Sequence, residues 1–123
     1  VKISLIVRGI CCLYPQRKNL SENIKVISII GYFLEHSRIF WFSNNGNNEV
    51  FIGSADWMKR NLDRRIEAIT PIEDLQLKTQ LYSLLQIYLQ DNYFSWVMRE
   101  DGSYEKYAYE SANNRSQIDL IKK

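Results

Sequence analysis

An α/β fold, a mixed sheet flanked by a helix, is what three features of this 123-residue chain predict. A β-branched apolar run opens it from Lys2 to Val7, two short apolar runs flank the polar cluster Asn44-Asn45-Gly46-Asn47-Asn48, and leucines recur at helical spacing from Leu77 onward. Residues that are 46% hydrophobic and 13% aromatic suffice for one modest core, so the whole of 1–123 reads as one globular domain.

Each element has its own warrant. Lys2 to Val7 is a buried-type strand that ends at Arg8-Gly9, and Tyr14 to Asn23, with Pro15 and several polar residues, is a surface loop. Ile24 to Ile30 reads as a strand from its β-branched content, although Ile27, Ile30 and Leu34 also fit a helix face; Gly31 breaks it. Asparagine and glycine tolerate positive φ, so the Asn44–Asn48 cluster joins Ile39–Phe42 to Val50–Ile52 as a hairpin. A short strand from Arg65 to Ile69, with Arg65 and Glu67 on one face, stops at Pro71. Asp74 caps a helix to Gln90 whose stripe is Leu77, Leu81, Leu84, Leu85 and Tyr88. Asn92 to Arg99 and Tyr104 to Tyr109 form two terminal strands around Asp101-Gly102, and a short helix starts at Gln117 in the polar tail.

Charge and cysteine usage exclude several functions. A formal charge of +2 argues against broad nucleic-acid binding and leaves room only for a local basic pocket. Cys11 and Cys12 are adjacent, which strains any bridge between them, and with the single His36 they lack the spacing of a zinc site. Both read as reduced core residues of a cytoplasmic protein. No apolar stretch approaches the ~20 residues that span a bilayer. The start at Val1, on an apolar strand without a leader, reads as a piece of a longer protein.

The chemistry concentrates around His36. In an extended stretch His36, Arg38, Phe40 and Phe42 point one way, so an imidazole and a guanidinium share a face. The return strand ends in Gly53-Ser54-Ala55-Asp56-Trp57, which brings a hydroxyl and a carboxylate to the same end of the hairpin. Such a set can hold a phosphate and protonate it. Each residue also has an ordinary alternative: a hydrogen-bonded surface or core histidine, a structural ion pair of Arg8 with Glu67 or Asp56, a solvated Arg38, turn chemistry for Ser54 and Asp56, a surface carboxylate for Glu67. Arg60, Arg64 and Arg65 read as a solvated basic face, with polyanion contact as the other option.

The spacing resembles the H-x-K…G-S-x-N half-site of the phospholipase D superfamily, with Arg38 for the lysine and Asp56 for the asparagine. Five blocks in order, Val7–Leu13, Leu20–Ile24, Phe33–Arg38, Gly53–Met58 and Arg60–Arg65, resemble the C-terminal domain of bacterial polyphosphate kinase from about Val1 to Gly102. The resemblance implies a phospholipase D-like mixed sheet and a parent enzyme, several times longer, that reversibly transfers the ATP γ-phosphate to inorganic polyphosphate. By the same resemblance His36 is the second active-site histidine, the phosphorylated nucleophile lies in a preceding domain, and Arg8, His36 and Arg38 contact the phosphates of ATP or ADP. Ser54, Asp56 and Glu67 would stand behind them, orienting His36 and the arginines. Arg8 and His36 are then expected to open toward one cleft.

Mg2+ is expected with ligands outside this chain, and polyphosphate, ATP and the upstream domains of the same polypeptide are the partners. A homo-oligomeric or membrane-associated parent stays open. The rivals are a phosphodiesterase or phosphatidyltransferase half of the same superfamily and a non-catalytic interaction domain. The Tyr14-Pro15-Gln16 turn and the aromatic Tyr93-Phe94-Ser95-Trp96 depart from the resembled pattern, without touching the predicted site.

Overall fold

The computed structural model describes residues 1–107 and 113–122, which sort into two compact units. The first comprises Val1–Leu34 and Gln86–Lys123, the second Glu35–Leu85.

The first unit is built on a four-stranded mixed sheet of β1 (Ile3–Ile6), β2 (Ile24–Ile29), β6 (Ser95–Met98) and β7 (Tyr104–Lys106), in that order. β1 runs parallel to β2 with Ile3 opposite Ile24, whereas β2–β6 and β6–β7 are antiparallel. β2 is interior to the sheet, and Val26, Ile27, Ser28 and Ile29 are all buried. Covered on both faces, such a strand reads as a continuous apolar run, which decides for strand over the helical alternative. With Tyr88, Phe94 and Met98 these residues form the core.

The loop from β1 to β2 is fastened locally. The Ser21 hydroxyl donates to the Tyr14 carbonyl, Gln16 N–H to the Ser21 carbonyl at 2.8 Å, and Pro15 is buried between them. At the Asp101-Gly102 turn Gly102 takes φ +87° with the Tyr14 ring 2.5 Å from where a Cβ would sit, so only glycine fits. The Ser103 hydroxyl and N–H both donate to Asp101, holding its carboxyl below the usual range.

A buried carboxylate ties down the C-terminal segment. Asp91, 2% exposed, accepts from Tyr93 and Phe94 N–H through one oxygen and from the Ser116 N–H and hydroxyl through the other. Ser116 opens the short helix α3 (Ser116–Ile121), one residue ahead of the expected start. These bonds take the N–H groups of Tyr93 and Phe94, while the Phe94 carbonyl still accepts from Ile30 N–H at 3.0 Å, and β6 begins at Ser95. Asp91→Ala would strand at least two buried donors. We expect it to lower unfolding stability by roughly 2–4 kcal/mol in urea titration. Asp91→Asn should recover only part, since its NH2 cannot accept from Ser116.

The second unit carries a three-stranded antiparallel sheet of β3 (Ile39–Phe42), β4 (Glu49–Gly53) and β5 (Ile69–Pro71). Its hairpin is the expected one: Ile39 pairs with Ile52 and Phe42 with Glu49, around a 3-10 turn where Asn44, Asn45 and Gly46 all have positive φ. Helix α2 (Leu75–Leu89) starts in this unit, and Asp74 Oδ1 accepts from Leu77 N–H at 2.8 Å as its cap. The Trp41 ring lies 4.8 Å from that of Tyr82, and Phe40 stacks on Trp57.

Three expectations fail, and one element goes unannounced. The strands form two sheets, not one. The strand expected over Arg65–Ile69 is instead β5, and Pro71 belongs to it: β5 is an edge strand, where a missing N–H costs nothing. Before it lies a helix the pattern did not announce, α1 (Lys59–Arg64). Cys12 is exposed and Cys11 half-buried, its Sγ on the Leu13 carbonyl, so the pair is not core; two adjacent side chains diverge, and a surface loop covers only one. Of the expected strand Tyr104–Tyr109, residues 108 and 109 lie outside the described residues. No helix among the described residues is long and apolar enough to cross a membrane.

Candidate functional site

The hairpin of the second unit sets the geometry. β3 starts at Ile39, so His36, Ser37 and Arg38 form the approach to the strand, while Gly53 at the end of β4 still donates its N–H to the Arg38 carbonyl at 3.1 Å. That bond fixes the backbone beside the loop Ser54–Trp57. A cleft of about 530 Å³ opens there, lined among others by His36, Arg38, Gly53, Ser54 and Thr70, with Leu81 and Leu84 of α2 at its apolar side.

Arg38 sits at the centre of the polar contacts. Its Nε donates to Asp56 Oδ1 at 3.0 Å and Nη2 pairs with the same oxygen at 2.9 Å. Its Nη1 donates to the His36 carbonyl at 2.8 Å and lies 2.5 Å from His36 Nδ1. The Arg38 and Asp56 side chains are 14% and 32% exposed, so the pair is less screened than a surface ion pair yet still wetted. The sharing of one side by His36 and Arg38 is thus realised as a direct contact. Arg38 is, however, occupied by protein groups on every nitrogen, which is the arrangement of a clamp more than of a free phosphate fork.

Ser54 and Glu67 form a second group. The Ser54 hydroxyl donates to Glu67 Oε2 in a short bond and accepts from Ala68 N–H at 3.0 Å, while Asn61 Nδ2 donates to Glu67 Oε1 at 2.8 Å. With its one proton committed to Glu67, Ser54 does not donate to His36, although both line the cleft. The Ser54 hydroxyl, then the Asn61 amide, hold the Glu67 carboxyl below its usual range, with smaller help from the charges of Arg65 and Arg38. Glu67 is therefore an anion that accepts hydrogen bonds. Of the expected supporting residues, Asp56 acts on Arg38, and Ser54 and Glu67 act on each other.

Asn61 is a member of this group that sequence reasoning missed. It is 2% exposed on a helix of six residues, and nothing in the cationic run Arg60–Arg65 signals a buried amide. His36 itself is exposed. Arg8 belongs to the first unit, exposed just after β1 and before Gly9 at φ +98°, and its guanidinium enters no hydrogen bond or ion pair among the described residues. No three His, Cys, Asp or Glu side chains converge on a metal site among the described residues.

Comparison with known proteins agrees with the motifs. The family described as polyphosphate kinase C-terminal domain 2 matches residues 1–117. The chain is 57% identical over 124 residues to a polyphosphate kinase of Parasynechococcus marenigrum, covering 99% of this chain and 17% of that protein. It is 66% identical over 104 residues to a polyphosphate kinase of Prochlorococcus marinus, covering 85% of this chain and 15% of that one. Among solved structures, polyphosphate kinase from Porphyromonas gingivalis superposes with a TM-score of 0.93 at 41% identity, over 99% of this chain and 19% of that one. The chain thus spans less than a fifth of the length of the proteins it matches.

Proposed function

This chain belongs to the polyphosphate kinase C-terminal domain family, with an α/β fold of the phospholipase D-like kind, and from that premise we propose that it is the phosphate-handling C-terminal part of an enzyme that reversibly moves the γ-phosphate of ATP onto inorganic polyphosphate. The observation that carries the reading is the cleft in which an exposed His36 stands against Arg38, itself anchored on Asp56. Phosphoryl transfer spreads negative charge over three equatorial oxygens, and catalysis is mostly positioning and electrostatic stabilisation. His36 offers a fixed donor to such an oxygen. Arg8, whose guanidinium has no partner among the described residues of its unit, offers a bidentate fork. Glu67, kept anionic by Ser54 and Asn61, supports the loop at the edge of the cleft by holding Ser54 in place.

The covalent step belongs to a nucleophilic histidine in the rest of the enzyme, together with the ligands of Mg2+; the whole acts in the cytoplasm. The division of labour gives a test. Purified full-length enzyme with radiolabelled ATP should form acid-insoluble polyphosphate, while residues 1–123 alone should form none at the same molar concentration. Robust synthesis by the isolated chain would overturn the assignment of the nucleophile to another domain.

A further inference from the structure

We propose that Arg38 is a positioning residue that selects the tautomer of His36, holding the ring proton on Nε2, the nitrogen offered to a phosphate oxygen. Arginine carries five donors and no acceptor. Its Nη1 at 2.5 Å from His36 Nδ1 is therefore satisfied only if Nδ1 presents its lone pair. In a neutral ring the proton then resides on Nε2. A proton on Nδ1 of the neutral ring would set N–H against N–H at hydrogen-bond distance, with no lone pair for Arg38 to meet.

The clamp is held from both sides. Asp56 takes Nε and Nη2, which fixes the guanidinium plane, and the His36 carbonyl takes Nη1 at 2.8 Å, which fixes the histidine backbone relative to that plane. The same guanidinium thus reads both the main chain and the ring of residue 36. Four of the five N–H donors of Arg38 go to Asp56 and His36, so its main service to phosphate runs through His36. This inference rests on the proposed phosphate-handling role only for what meets Nε2; the tautomer stands on the geometry.

The experiment labels full-length enzyme with 15N-histidine and identifies His36 from the signals lost in His36→Gln. In the wild type, solid-state spectra should show His36 Nδ1 unprotonated and Nε2 protonated. Arg38→Met, which keeps length but has no donor, should give a mixture of tautomers and lower kcat roughly 10–100-fold, as a misplaced reacting group does, with KM for ATP nearly unchanged. Arg38→Lys, still a donor without an acceptor, should restore much of the Nε2–H form. Asp56→Asn, which loosens the clamp and leaves Arg38 in place, should shift the tautomer less. A wild-type His36 protonated on Nδ1, or an Arg38→Met spectrum identical to wild type, overturns the proposal; so does a raised KM with intact kcat and tautomer, the mark of a ligand. Should the tautomers behave as expected in an enzyme that makes no polyphosphate, the functional reading fails and the positioning role survives.

Discussion

His36→Ala in the full-length enzyme is expected to lower kcat by roughly 10²–10³-fold, the usual effect of removing one donor aimed at developing charge. The fold should survive. His36 is exposed and fills no core, and Arg38 keeps its bonds to Asp56 and to the carbonyl of residue 36 when the ring is gone. Melting temperature and nucleotide affinity should therefore stay close to wild type while turnover collapses. His36→Gln sharpens the test: the amide can still donate to phosphate, but it has no ring for Arg38 to orient and carries no titrating proton. A large loss of turnover with retained nucleotide binding is expected. Near-normal turnover in His36→Gln would reduce the residue to a hydrogen bond that any amide can supply.

The elements legible in the sequence are those whose signal is local. The Asn44–Asn48 cluster encodes positive φ at three successive positions, and the structure uses all three in Asn44, Asn45 and Gly46. The leucine stripe with Asp74 ahead of it encodes both a helix and its cap, observed as Leu75–Leu89 with Asp74 accepting from Leu77. Helix α1 has neither signal. It runs six residues, Met58 contributes no side-chain cap, and Lys59 and Arg60 sit at the end where the helix dipole disfavours cations. It is held by contacts outside its own turn: Asn61 reaches Glu67, six residues on, and Trp57 just before the helix stacks on Phe40 of β3. Partnering between strands is likewise non-local, so alternation gave strands without revealing that they divide between two sheets.

The site follows the same rule. His36 and Arg38 are two residues apart on an extended approach, so their contact is written in the spacing. Asp56 follows from the turn that reverses the hairpin. Ser54 and His36 come to one end of the hairpin, and Ser54 does line the same cleft. What spacing could not supply is which way one hydroxyl proton turns. Glu67 arrives from beyond α1 and captures it, and the backbone of Ala68 takes the lone pair. The competition among acceptors is settled by the path of residues 59–68, the stretch whose structure was not legible.

Arg8→Ala carries the other large expected effect, and it separates function from folding more cleanly than any change in the clamp. A strand-end arginine that held the fold would have an acid beside it; within its unit Arg8 has none among the described residues and is exposed, so its loss should change unfolding free energy by no more than about 0.5 kcal/mol. If it grips phosphate, each charge-assisted bond is worth on the order of 1.5–3 kcal/mol, and kcat/KM should fall at least 10- to 100-fold. Arg8→Lys keeps the charge on a single ammonium and loses the fork, so it should recover part of the binding and little of the orientation. The two measurements must be read together. A lowered melting temperature with unchanged turnover would make Arg8 a structural residue, whereas unchanged stability with a collapse in kcat/KM, partly repaired by lysine, is the signature of a guanidinium that acts only when phosphate is present.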